Sequence, residues 1–358
     1  MKLLDRYLSR HFLPSYVLAG VVFSLFYCLV DLLSNLGEFM EKQAYFIEMI
    51  RFYLFFLPLL WLKLSPLAIL IGVWFSVGHL AEDREIMAMR LCGISIFRII
   101  APLLSIVLII SLASLGMSLQ LAPWCEEKKA EIWKGKIQRE EEYLYKIRKN
   151  FIFTSQGAIY FVKYFNESEG KMSQIQIVDR DVSENTERRI SSREALWHNG
   201  RWVLRDGIER IFDTEGGLRK AEKFRRKELS LSLTPHELWL YNRSPSFIPT
   251  SKIRIYLTEY KKNPASLYPY WAEFHARFSL PFINFTILVL SIPFCLLSLH
   301  QSTVGRIGWV LGFFLLYYFF FSLMVAASER GIILPPVGIW LPNIIFLILG
   351  ILYLWRKR

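Results

Sequence analysis

The residues best arranged for chemistry form one short run, LAEDREIMAMRLCGIS, residues 80–95. Glu82, Asp83 and Glu85 put three carboxylates within four positions, Arg84 and Arg90 supply the opposite charge, and Gly93 is placed as a helix stop. On a helix, Leu80, Met87 and Leu91 fall near one face with Ile86 and Met89 beside it, so the charges and the apolar groups separate. That pattern suits recognition better than catalysis: an amphipathic helix whose two methionines adapt to a partner's groove. The competing reading is a connector lying in the lipid headgroup layer, a poor place for three acids beside an anionic leaflet.

Other chemical signatures are missing. The chain has no G-x-x-x-x-G-K-[ST] to cradle nucleotide phosphates, no G-x-S-x-G nucleophile elbow and no H-E-x-x-H metal motif. Its histidines (11, 79, 198, 236, 275 and 300) are scattered, and Cys28, Cys92, Cys125 and Cys295 form no C-x-x-C. Neither a disulfide framework nor a metal site is indicated, and no catalytic group or cofactor is expected on this chain.

The surrounding composition explains this. Of 358 residues, 53% are hydrophobic and 16% aromatic, which marks a membrane protein with a polar block at its centre. A net charge of +12 fits Lys and Arg held near anionic lipid; with no recognition motif beside it, no nucleic-acid partner is expected. Six segments are long enough to cross a core of about 30 Å: roughly 12–33, 54–79, 99–121, 278–299, 307–327 and 337–355. The first begins after basic residues as a signal peptide does, but its length predicts an uncleaved span. If both termini are cytoplasmic, ten Lys and Arg flank the spans on that side, against Lys42, Arg51 and Arg330 outside. Residues 80–93 then lie in the cytoplasm and the block from about 125 to 275 lies outside.

Within that block AIYFVKYF, SQIQIVD, EALWHNGRWVLRDG and KELSLSL alternate with period two, and Asn199-Gly200 favours a type I′ hairpin. The expected fold is therefore an α-helical integral membrane protein with six transmembrane helices and an all-β, sandwich or jelly-roll-like periplasmic domain inserted between helices 3 and 4. The expected divisions are 1–121, 122–275 and 276–358. WCEEKKAEIWKGKIQREEEYLYKIRKN reads as a polar helical extension of the third span, and PTSKIRIYLTEYKKNPASLYPYWAEFHARF as amphipathic helix leading back to the membrane.

The segment LAEDREIMAMRLCGIS resembles the coupling helix of the lipopolysaccharide export permeases, the LptF/LptG family. LLDRYLSRHFLPSY, LPLLWLKLSPLAILIG, EFHARFSLPFINFTILVLSIPF and GIILPPVGIWLPNIIF agree in order along nearly the whole chain. The resemblance implies a transporter subunit without enzymatic activity of its own, in the bacterial inner membrane. Its implied partners are a cytoplasmic ATP-binding-cassette ATPase dimer that uses the ATP, a second related permease, periplasmic bridge proteins and lipopolysaccharide. By that match Glu85 makes the main polar contact with the ATPase, supported by Arg84, Met87, Met89 and Arg90. Alternatives are export of another large amphiphile by the same fold, or a membrane-anchored scaffold or sensor with an outer β domain.

LLDRY and the pair Val30-Asp31 lean toward the LptG branch, whose first span carries a lysine just ahead of such a pair. In YCLVDLLSN that position is Cys28. Lipid A phosphates call for cations near headgroup height, so Lys63 is a candidate replacement: seventeen residues above Leu80, about 25 Å at 1.5 Å per residue. Lys42, Arg51 and Asp31 are further candidates on the substrate side. Lys63 snorkelling to ordinary lipid headgroups is the plain alternative. Pro58 and Pro66 are expected to kink the second span.

Overall fold

The computed structural model describes residues 2–155, 157–181, 186–213, 217–229, 231, 233–240, 245–259, 264–296 and 303–356. The chain opens with α1 (Lys2–Glu41) and α2 (Phe46–Val73). It then passes through a π-helical turn, Trp74–Gly78, into α3 (His79–Glu82), α4 (Glu85–Leu91) and α5 (Ile96–Gly116). A second π turn (Met117–Leu121), α6 (Ala122–Ala130), a third π segment (Glu131–Ile137) and α7 (Glu141–Leu144) lead to six strands. These are β1 (Ile147–Ser155), β2 (Ala158–Asn166), β3 (Lys171–Asp181), β4 (Thr186–His198), β5 (Arg201–Phe212) and β6 (Leu218–Leu229). After them come α8 (Pro235–Leu240), α9 (Thr250–Glu259), α10 (Pro264–Leu296), α11 (Thr303–Glu329) and α12 (Pro335–Arg356).

Six apolar helical segments are long enough to cross a membrane: Leu4–Glu41, Phe46–Ala81, Phe97–Ile137, Leu267–Pro293, Leu311–Glu329 and Pro335–Tyr353. Each overlaps one expected span. Residues 297–299 of the fourth, His300, and Ser230 and Ser232 of the last predicted strand lie outside the described residues. At 1.5 Å per residue the 40 residues of α1 extend about 60 Å, twice a bilayer core. Pro58 and Pro66 sit inside α2, which runs unbroken around them.

The chain divides into two compact units, residues 1–38, 50–127 and 249–358 in one, 39–49 and 128–248 in the other. In the helical unit, small residues let α1 and α2 approach closely. A Cβ on Gly20 would meet the Trp61 ring at 2.7 Å, and one on Gly72 would meet the Phe12 ring at 2.9 Å. Most of the apolar window of α10 is buried, whereas α1 and α11 leave theirs largely uncovered. Polar side chains pin α10 to its neighbours. Asn343 Nδ2 donates to Ser279 Oγ at 2.7 Å, and its Oδ1 accepts from Tyr317 Oη at 2.8 Å and Thr286 Oγ1 at 3.2 Å. On the other flank Ser65 Oγ donates to Asn284 Oδ1 at 3.3 Å and lies 3.2 Å from Tyr16 Oη. Each pin satisfies a group that hydrocarbon would leave unpaired.

In the second unit the strands form one antiparallel sheet in the order β1-β2-β3-β4-β5-β6. The inserted β domain is therefore present, with meander connectivity in place of the two-sheet jelly-roll or sandwich expected. The reason is local: tight turns pair each strand with its chain neighbour, as where Asn199 (φ 50°) and Gly200 (φ 79°) close the β4–β5 hairpin. Two predicted stretches change identity. The polar extension after span three stops at Ile137, and Ile147–Asn150 open β1, whose Phe151 and Phe153 point inward. The very basic LRKAEKFRRKEL of β6 carries no apolar alternation; its pairing with β5, reinforced by Lys227–Glu209 and Arg201–Glu228, makes it a strand.

One row crosses the whole sheet. Asn150, Lys163, Gln174, Arg193, Asp206 and Arg225 stand opposite one another, backbone pairing skips all six, and Asn150, Gln174 and Asp206 have φ near 50°. Across the row the buried positions move by one: Val162 then Phe165, Met172 then Ile175, Leu204 then Gly207. A one-residue slip in a single strand would turn its apolar face outward. Because every strand slips at the same level, the register survives and the sheet acquires a crease.

Candidate functional site

The segment joining α2 to α5 is two helices, where the sequence suggested one over 80–93. Arg84 takes a left-handed conformation (φ 59°), and the chain turns at Asp83–Arg84, with Asp83 N donating to His79 O at 3.0 Å and Arg84 N to Ala81 O at 3.3 Å. This break splits the expected apolar stripe. Leu80 and Ile86 are buried in the bundle core beside Ile99 and Leu103, and Met89 and Ile94 pack against them.

The C-terminus of α4 has a complete double cap. Ile94 N donates to Met89 O at 3.0 Å and Gly93 N to Arg90 O at 2.9 Å, with Gly93 at φ +82°. Ser95 then caps α5 by accepting from Arg98 N. These caps hold α4 with one face inward and the other outward. The outward face carries Arg84, Met87, Ala88 and Leu91, with Met87 53% and Leu91 81% exposed. Arg90 is exposed and Glu85, the first residue of α4, is half-buried. The six named coupling candidates thus divide: Ile86 and Met89 anchor the helix, and Arg84, Glu85, Met87 and Arg90, joined by Leu91, present it.

The substrate-side candidates are not brought together. Asp31 accepts from Tyr53 Oη at 3.0 Å, which sets that part of α1 level with the first two turns of α2. Arg51 is exposed half a turn from Tyr53, whereas Lys63 is ten residues further on, about 15 Å along the axis. Lys63 is exposed, and its carbonyl accepts from Tyr318 Oη at 2.7 Å on α11. It falls midway along the apolar segment Phe46–Ala81, lower than the headgroup height counted from the sequence, because that segment extends beyond residue 54 to Phe46. Lys42 belongs to the other unit and lies 3.6 Å from Glu41. Cys28 is half-buried, one turn before Asp31.

Sequence reasoning missed the side chains that tie the segment to the bundle. Arg98 Nη2 lies 2.9 Å from both carboxylate oxygens of Asp5. It also missed Tyr53, whose signal was a hydroxyl among apolar residues opposite the lone acid of span one. Asn284 and Asn343 carried the clearer signal, a carboxamide inside an otherwise apolar helix. Among the described residues no group of three His, Cys, Asp or Glu is placed to hold a metal ion.

No curated protein matches the chain. The family described as lipopolysaccharide export system permease LptF/LptG matches residues 6–356, nearly its full length. With six membrane-crossing helices, a β domain inserted between the third and fourth, and a family match end to end, this chain belongs to the LptF/LptG family of lipopolysaccharide export permeases, multi-pass proteins of the inner membrane.

Proposed function

We propose that this permease is one half of an ATP-driven exporter, with both termini cytoplasmic. It pairs with a second related permease and takes its energy from a separate cytoplasmic ATP-binding-cassette ATPase dimer. The observation that carries this reading is α4: one face is fixed in the bundle core by Ile86 and Met89 while Met87 and Leu91 stand exposed on the other. A helix held this firmly passes a push on its outer face to the spans. An interfacial connector would need no such anchoring. Glu85, Arg84 and Arg90 border the exposed patch and supply its polar contacts to the ATPase, which binds the ATP; this chain holds no cofactor.

The largely uncovered apolar faces of α1 and α11 support a lateral opening toward a second permease and the acyl chains of lipopolysaccharide. Lys63, exposed halfway along its span, then meets cargo phosphates inside the shared cavity, with Arg51, Lys42 and Asp31 nearer the periplasm. The β domain passes the lipid to periplasmic bridge proteins. The experiment is a pull-down of the tagged chain from its own membranes in mild detergent, with proteins and lipids identified by mass spectrometry. Recovery of an ATPase, a second six-span permease and lipopolysaccharide is expected; recovery of the chain alone or with outer-surface proteins only would overturn the exporter reading.

A further inference from the structure

Between α5, α10 and α12 lies a groove of about 530 Å3. It runs from Leu108 past Ser111 to Leu115 on α5 and from Phe274 to Phe285 on α10, with Trp340 of α12 on its side. None of these belongs to α1, α2 or α11, so the groove is separate from the residues assigned above to coupling and cargo.

Three observations say what fits. First, the shape: eleven residues of α10 at 1.5 Å each give a length of about 17 Å, hence a mean cross-section of about 30 Å2. A helix about 10 Å across needs more than twice that, so a partner's transmembrane helix is too wide, while a single extended hydrocarbon chain is narrow enough. Second, the charge: the described lining residues include no Lys or Arg, and His275 is the single ionisable side chain among them. A phosphate-bearing headgroup therefore finds no cation here, which disfavours the cargo's anionic end. Third, Ser111 is only 6% exposed and its Oγ has no hydrogen-bond partner among the described residues. Ser105 on the same helix returns its hydroxyl to Ala101 O at 3.1 Å, as serines in spans usually do. Ser111 instead keeps a donor facing an otherwise apolar groove, where water is a poor occupant.

We propose that this groove binds one acyl chain of a resident glycerophospholipid, with an ester carbonyl of that lipid accepting the Ser111 hydroxyl. Binding is a fixed structural site, independent of the transport cycle.

The test is native mass spectrometry of the full chain extracted from its membranes in mild detergent, counting phospholipids retained per chain. The parent chain is expected to keep one. Leu112→Trp, which fills the groove, is expected to lose it, whereas Ile351→Trp, on an exposed part of α12 outside the groove, keeps it. Ser111→Ala leaves the groove open and removes the donor, so retention on detergent titration falls about fivefold, the value of one ordinary hydrogen bond. Equal retention by the parent and Leu112→Trp overturns the proposal, as does recovery of lipopolysaccharide or a protein in place of phospholipid. Should Leu112→Trp fail to fold, unchanged retention in Ser111→Ala overturns the ester contact by itself.

Discussion

Asp5 in the first turn of α1 and Arg98 in the first turn of α5 are ion-paired, with Nη2 2.9 Å from each carboxylate oxygen. The pair links the N-terminus of the first span to the exit of the α3–α4 segment, three residues past the Ser95 cap. A displacement of α4 therefore reaches α1 through a charged contact as well as through the core. Asp5→Arg or Arg98→Asp alone should lower export-linked ATP hydrolysis several-fold, and the double exchange should restore much of it. Additive losses in the double variant would show that the two residues act separately.

The two faces of α4 should respond differently to substitution. Met87→Asp with Leu91→Asp should abolish ATPase co-purification without lowering thermal stability, since both side chains are exposed. Glu85→Ala should weaken the complex. Ile86→Ala should cost about 2–4 kcal/mol of stability, as for other buried aliphatic truncations. Equal loss of stability from both sets, measured by thermal melts in detergent, would argue against a docking face.

Lys63→Glu should stop extraction of lipopolysaccharide from membranes while the ATPase still co-purifies. Arg51→Glu, about 18 Å away along the same helix, should have a smaller effect. Normal extraction by Lys63→Glu would remove Lys63 from the cargo path.

Asn343 joins α10, α11 and α12 through three side-chain bonds to Ser279, Thr286 and Tyr317. At about 0.6 kcal/mol per interhelical bond in a membrane, Asn343→Leu should cost about 2 kcal/mol and lower the melting temperature. Ile344→Ala, on the exposed side of the same helix, should be nearly silent.

The β domain should loosen in acid. Burial alone would raise the Glu167 carboxyl, but bonds from His236 and Lys146 outweigh it and hold Glu167 below its ordinary value of 4.5. Glu209 behaves alike: its burial is outweighed by Lys227 and Arg188. A carboxyl depressed in the folded state favours folding above its unfolded pKa, and that contribution is lost as pH falls through the folded pKa. Emission from the fully buried Trp202 should therefore hold steady at neutral pH and shift below about pH 4.5. Glu167→Gln with Glu209→Gln should flatten that transition.

The six spans, the inserted β block, the Asn199-Gly200 hairpin and the family were all legible in the residues. Each depends on something local: a run of apolar side chains long enough for a bilayer, alternation with period two, a turn that needs two left-handed residues, or motifs in a fixed order. The meander connectivity and the strand identity of β6 were not legible, because a strand that is basic along its length is specified by its neighbour's hydrogen bonds and carboxylates. Nor was the crease, which needs six strands to slip together. At the coupling segment, helical spacing grouped Leu80, Met87 and Leu91, but one left-handed residue, Arg84, rotated α4 so that Leu80 is buried and the other two are exposed. The sequence by itself determined which residues are apolar, charged or able to cap; only the tertiary structure decided which of them face each other. Asp5 with Arg98, Asp31 with Tyr53, and Asn343 with three helices come together across distances in sequence that no periodicity encodes.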